Sequence, residues 1–135
     1  MKKRAPRKRT VNVTLRAAKI VRDAEKIYRL GTARVPLREV CRIVQVKERS
    51  LRKAFVAVYG APPDRFHRAL RLAKARNHFL KTKRQITVAE VARKYGFSEL
   101  GRFSVQYREM YGENPSATLR RREKLRGRGH SASPH

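Results

Sequence analysis

At 135 residues, with 40% hydrophobic residues, no Trp and a single Cys, the chain suits one compact domain or two very small ones and excludes a disulfide-stapled fold. Lys and Arg number 36 against 10 Asp and Glu, a formal charge of +26, so a polyanion is the natural partner: nucleic acid first, an anionic membrane surface second. No apolar run approaches the roughly 18 residues that span a bilayer, and the N-terminus lacks the apolar centre of a signal peptide, so a cytoplasmic protein without membrane association is expected.

Residues 1–9 hold six cations, and residues 120–128 hold six more offset by Glu123. That leaves 24 basic against nine acidic residues elsewhere, so the part expected to fold is itself basic. Residues 1–11 and 124–135 read as a flexible arm and tail, because charge, Gly, Ser and Pro outweigh apolar residues there. Between them the periodicity is helical throughout. Ala17, Ile20, Val21, Ala24, Ile27 and Tyr28 form one amphipathic stripe, stopped at Gly31. Leu37, Val40, Cys41 and Val44 form a second stripe. Leu51, Phe55, Val58 and Tyr59 form a third, ended by Gly60. After Pro62 and Pro63 a long helix is expected over 63–81, with Phe66, Leu70, Ala73, Asn77 and Leu80 along it. Val88, Val91, Ala92 and Tyr95 lie before Gly96. Phe103, Tyr107, Met110 and Tyr111 lie before Gly112, and Pro115 opens a last short helix to Leu119.

An internal repeat organises these elements. Val40, Cys41 and Val46 match Val91, Ala92 and Phe97 at an offset of 51. Leu51, Phe55, Tyr59, Gly60 and Pro63 match Phe103, Tyr107, Tyr111, Gly112 and Pro115 at an offset of 52. Each copy reads as short helix, turn, longer helix, Gly. In the second copy Ala92 lets two helices cross closely, Gly96 takes the left-handed backbone of the turn, Phe97 plugs the core and Ser98 is expected to cap the next helix. This is the helix-turn-helix pattern. One copy alone needs no ligand; two copies on a basic chain point to DNA. The first copy departs at Gln45, a poor residue for positive φ, and at Lys47, a poor N-cap that a nearby phosphate would favour.

The second helix of each copy should face the DNA. The candidate contacts are Lys47, Arg49, Ser50, Arg52 and Lys53 in the first copy. In the second they are Ser98, Leu100, Gly101, Arg102, Ser104, Val105 and Arg108. Arg bonds guanine O6 and N7 with two hydrogen bonds, and Arg or Lys also bonds phosphate. Leu100 and Val105 suit a thymine methyl, and Arg102 is the expected polar reader. Cys41 on its apolar stripe reads as a small core residue. No His/Cys cluster has zinc spacing and no Gly-rich phosphate loop follows a strand, so no enzyme, metal or cofactor is expected.

With these residues in hand, the chain resembles the DNA-binding domain of the AraC/XylS family of bacterial transcription regulators, from about Val13 to Arg121. The most specific stretches are Val88 to Ala92, Gly96-Phe97-Ser98, Gly101 to Arg108, and Gly112 to Ser116. Arg71 to Arg76 is similar to the family's linker-helix motif. The resemblance implies an all-α fold of about seven helices. Together with the residue patterns above, the chain is expected to divide into a basic arm at 1–11, a first helix-turn-helix subdomain at 12–62, a linker helix at 63–81, a second subdomain at 82–123 and a basic tail at 124–135. It places base-reading positions on Arg49, Arg52 and Lys53, and on Leu100, Gly101, Arg102, Ser104 and Val105. Implied partners are double-stranded DNA, read in two adjacent major-groove segments, and RNA polymerase near a promoter. A monomer is expected unless the domain is cut from a longer protein. The rival readings are a nonspecific nucleoid-type compactor and an RNA-binding basic protein.

Overall fold

A computed structural model describes the backbone of residues 7–131 and the side chains of residues 15–125. Those residues form seven α-helices and no strand: α1 (Arg7–Arg29), α2 (Leu37–Val44), α3 (Glu48–Tyr59), α4 (Pro63–Lys81), α5 (Val88–Lys94), α6 (Leu100–Tyr111) and α7 (Pro115–Ser131). The chain divides into two compact units between Arg68 and Ala69, inside α4, and Thr32–Arg34 join the second unit.

In the first unit α1 packs chiefly on α3. Ala17, Ile20, Val21, Ala24 and Tyr28 meet Val40 of α2 and Leu51, Ala54 and Phe55 of α3 in the core. Burying rings such as Phe55 and Tyr28 supplies the largest part of the driving force. Tyr28 meets Phe55 edge-on at 6.1 Å and stacks on the buried His67 at 4.4 Å. The Nε2 of His67 accepts a hydrogen bond from the Val35 amide at 2.9 Å, which satisfies a backbone donor at the approach to α2.

In the second unit Leu72, Ala75 and Phe79 of α4 pack with Ile86, Val91, Ala92, Tyr95, Phe103, Tyr107 and Leu119. A capping box starts α5: the Thr87 hydroxyl accepts from the Glu90 amide at 3.1 Å, and the Glu90 carboxylate accepts from the Thr87 amide at 2.8 Å. The Tyr107 hydroxyl donates to Thr118 at 2.8 Å, and Thr118 donates on to Glu113, which also pairs with Arg121. Arg121 first and Thr118 second hold the Glu113 carboxyl below the usual range.

Five sequence expectations change. The stripe expected along α4 is not the buried one: Asn77 and Leu80 are exposed, while Pro63 and His67 are buried in the first unit and Leu72, Ala75 and Phe79 in the second. One stripe presumes one core, and α4 serves two. Pro115 opens a long helix, not a short one, and α1 begins at Arg7, inside the stretch read as a loose arm. Arg, Lys, Glu and Leu all favour helix, so composition that is too polar for a core does not prevent one. The outer parts of the arm and tail, residues 1–6 and 132–135, lie outside the described residues. Cys41, expected in the core, is half-buried, and that burial pushes its thiol up. Ser98 caps nothing: α6 starts at Leu100 with Glu99 as its N-cap, and no side chain there accepts a capping bond.

The repeat also runs further upstream than the sequence reading has it. Val21, Ala24 and Tyr28 of α1 correspond, at the same offset of 51, to Leu72, Ala75 and Phe79 of α4, and all six are buried. Each unit is therefore a helix, the helix-turn-helix pair, and the start of a closing helix that opens on a fully buried proline, Pro63 or Pro115. The long helix closes one unit and opens the other.

Candidate nucleic-acid interface

Helices α3 and α6, the second helix of each unit, have 12 residues each, and each ends on a glycine with positive φ. At about 100° per residue, the buried Leu51 and Phe55 set the centre of the α3 outer face on Arg49, Lys53 and Val56, with Arg52 beside them. Val56 is 52% exposed. The sequence reading does not include it, although its spacing of seven residues after Arg49 and three after Lys53 puts it on their face. Lys47 is the N-cap of α3, with no side-chain cap, and is exposed. Lys47, Arg49 and Lys53 have no carboxylate partner among the described residues, whereas Arg52 lies 3.6 Å from Glu48. Ser50 lies on the flank of that face: it is half-buried, and a groove between α1 and α3 is lined by Arg16, Ala17 and Ile20 of α1 and by Ser50, Lys53 and Val56 of α3.

On α6 the buried Phe103 and Tyr107 put Gly101, Val105 and Arg108 at the centre of the outer face, with Ser104 beside them. Leu100, in the first turn, and Val105 are each 47% exposed. Arg102 holds the flank that Ser50 holds in α3, and pairs with Glu99 at 3.5 Å across two exposed side chains. Arg108 is exposed and has no carboxylate partner among the described residues. Ser98 is exposed in the turn before α6.

Turn geometry orients both helices. Gln45 takes φ 66°, the position that Gly96 fills with φ +86° in the second unit. A β-carbon on Gly96 would stand 2.9 Å from the Arg34 amide nitrogen, so the second turn needs glycine for space as well as for φ. Arg71, buried in α4, donates from Nη1 to the carbonyls of Tyr95 and Gly96 at 3.1 and 3.2 Å and lies over the Phe97 ring at 4.4 Å. In the sequence Arg71 belongs only to the linker-like stretch Arg71 to Arg76. Behind the same turn His78 meets the Tyr95 hydroxyl at 3.0 Å. Burial, then Lys94 and Arg84, push the His78 imidazole below its ordinary value.

Among the described residues no helix is long and apolar enough to cross a membrane.

The helix-turn-helix domain family matches residues 40–121, more than half of the chain. A probable thc operon regulatory protein of Rhodococcus erythropolis is 36% identical over 83 residues, which are 61% of this chain and 25% of that protein. The XylDLEGF operon transcriptional activator of Pseudomonas putida is 32% identical over 91 residues, 67% of this chain and 28% of its own length. The chain thus spans about a quarter of the length of these curated relatives. Among solved structures, a probable AraC family transcriptional regulator from Rhodopseudomonas palustris CGA009 superposes with a TM-score of 0.71 at 32% identity, over 77% of this chain and 97% of that one. An AraC-type DNA-binding domain protein from Chromobacterium violaceum shares the fold, with a TM-score of 0.69 at 22% identity over 78% and 94% of the two chains. The family match and the nearly full coverage of the solved relative agree with the two helix-turn-helix units: the chain belongs to the AraC/XylS family of transcription regulators and carries its DNA-binding domain.

Proposed function

We propose that the chain binds double-stranded DNA sequence-specifically and regulates transcription, reading two adjacent major-groove segments with α3 and α6. The observation that carries this is the pair Arg49 and Lys53. They stand one turn apart on the exposed face of α3, with no carboxylate partner among the described residues. Two cations so placed suit guanine edges and the flanking phosphates. Lys47, Arg52 and Arg108 extend the contact, and Gly101, Ser104 and Val105 form the second reading face, with Leu100 at its N-terminal edge. Arg102, Ser50 and Ser98 stand at the margins and are assigned to phosphates. Use of both segments is supported by the repeat, which gives each unit its own short helix, turn and 12-residue helix. We assign the site to promoter DNA in the cytoplasm, read by a single chain next to RNA polymerase.

Selection from a random duplex library tests this reading. A site should emerge that binds about 10³-fold or more tighter than random duplex at fixed salt. Arg49→Ala should relax base preference at one position of that site. Equal binding to all duplexes would favour a nonspecific compactor, and preference for an A-form RNA duplex would favour an RNA-binding protein.

A further inference from the structure

The two reader helices differ where the repeat makes them most comparable. Arg49, Arg52 and Lys53 of α3 correspond to Gly101, Ser104 and Val105 of α6. The centre of one outer face is cationic. The centre of the other carries no charge until Arg108, one turn further on.

Gly101 is the informative position. It lies in the first turn of α6, its φ is not in the left-handed region, and a β-carbon placed on it would meet nothing within 4 Å. Neither backbone geometry nor packing inside the chain calls for glycine there. Glycine in a helix is also less stable than alanine. A bare backbone on an exposed face gives something outside the chain room to approach. The neighbouring side chains say what kind of surface approaches. Val105, one turn on, and Leu100, in the first turn and about 100° round the helix from Gly101, are each 47% exposed and have no place in the core of the unit. In the major groove one apolar group projects from the base edges, the 5-methyl of thymine.

We propose that α6 reads thymine, with Gly101 letting the helix sit close to the groove floor and Val105 and Leu100 packing on 5-methyl groups, while α3 reads guanine through its cations. The proposal rests on the two-segment reading above and names what the second segment contains. The target is then asymmetric: a G-containing segment under α3 and a T-containing segment under α6. Arg102 and Arg108 hold the flanking phosphates and position α6 without choosing bases.

The test replaces thymine by deoxyuridine in the selected site, one position at a time. This removes the methyl and leaves every hydrogen-bonding group of the pair in place. Each contacted methyl lost from the α6 segment should weaken binding roughly fourfold, the worth of one buried CH₂ group at about 0.8 kcal/mol. Deoxyuridine in the α3 segment should change affinity less than about twofold. Val105→Ala should bind thymine and deoxyuridine duplexes equally at one position, and Leu100→Ala should do so at another. Gly101→Ala should fold with an unchanged or raised thermal midpoint and still lose about tenfold or more in affinity for the site, a combination that a structural role would not produce. A selected site whose binding ignores deoxyuridine throughout the α6 segment overturns the thymine assignment and leaves two-segment reading standing. Gly101→Ala binding as tightly as the parent overturns the close approach. Failure to select any site overturns the underlying reading itself.

Discussion

The Arg71 guanidinium donates from Nη1 to the carbonyl oxygen of Gly96 at 3.2 Å, and the same nitrogen stands 3.2 Å from where a β-carbon of residue 96 would be. A cation from α4 thus satisfies the two carbonyls of the turn that follows α5 and occupies the space that glycine leaves. In the first unit the corresponding residues are Ile20 and Gln45. That turn has no guanidinium at the corresponding place and bends at a residue with a β-carbon. Two copies of one motif have solved the same turn by different chemistry.

Gly96→Ala should therefore be among the costliest glycine substitutions in the chain. It combines left-handed backbone with a clash against the Arg34 backbone, and should lose about 2–3 kcal/mol or more. Gly112→Ala, with φ +76° and open space around the β-carbon, should lose only about 1 kcal/mol. Urea denaturation of both variants makes the comparison. Equal losses would mean that the Arg34 and Arg71 contacts do not confine the turn.

Gln45→Gly should stabilise the chain. Gln45 is exposed, sits at φ 66° and caps α2 through its own amide, which donates to the Cys41 carbonyl at 2.8 Å. Glycine keeps that backbone bond and removes the left-handed strain, for a gain of about 0.5–1 kcal/mol. A variant less stable than the parent would show that the glutamine side chain has a role of its own.

Acid should weaken the second unit through His78. Its folded value lies below the ordinary 6.5, because burial and the cations Lys94 and Arg84 oppose protonation, with Glu90 acting the other way. The neutral ring is the form the fold prefers. Its contribution is complete above 6.5 and is lost as pH falls from there through the lowered folded value. Thermal midpoints measured from about pH 8 down to pH 5 should fall in the parent and fall less in His78→Asn. Identical slopes in the two proteins would remove His78 as the cause.

Ala73→Pro tests whether the stiffness of α4 serves recognition. Proline inside a helix costs about 3 kcal/mol or more, or kinks it. A folded Ala73→Pro protein should bind a half-site weakly through one unit and lose the extra affinity for the full site. Full-site and half-site affinities at fixed salt, for both proteins, decide the matter. An undiminished full-site advantage would leave recognition to one unit alone.

Helix positions, the repeat and the family were legible in the sequence because each follows from local regularities. Apolar spacing of three and four residues marked α1, α2, α3, α5 and α6, and the Gly and Pro positions marked their ends. Arg49 and Lys53 could be assigned to the outer face of α3 because Leu51 and Phe55 declared the inner one. The rest depended on contacts between segments distant in the chain. Whether Leu70 or Leu72 of α4 is buried depends on which core each half of that helix enters, and composition carries no trace of it. Arg71 reads as one more cation in a basic chain until the fold buries it against the Gly96 carbonyl. Ser98 has the right chemistry for a cap, and the cap falls on Glu99 because the second copy carries one extra residue between its turn glycine and its second helix. Gly101 and Gly96 look alike as letters. Only the positions of their neighbours show that Gly96 is confined from within, by Arg34 and Arg71, and that Gly101 faces open space.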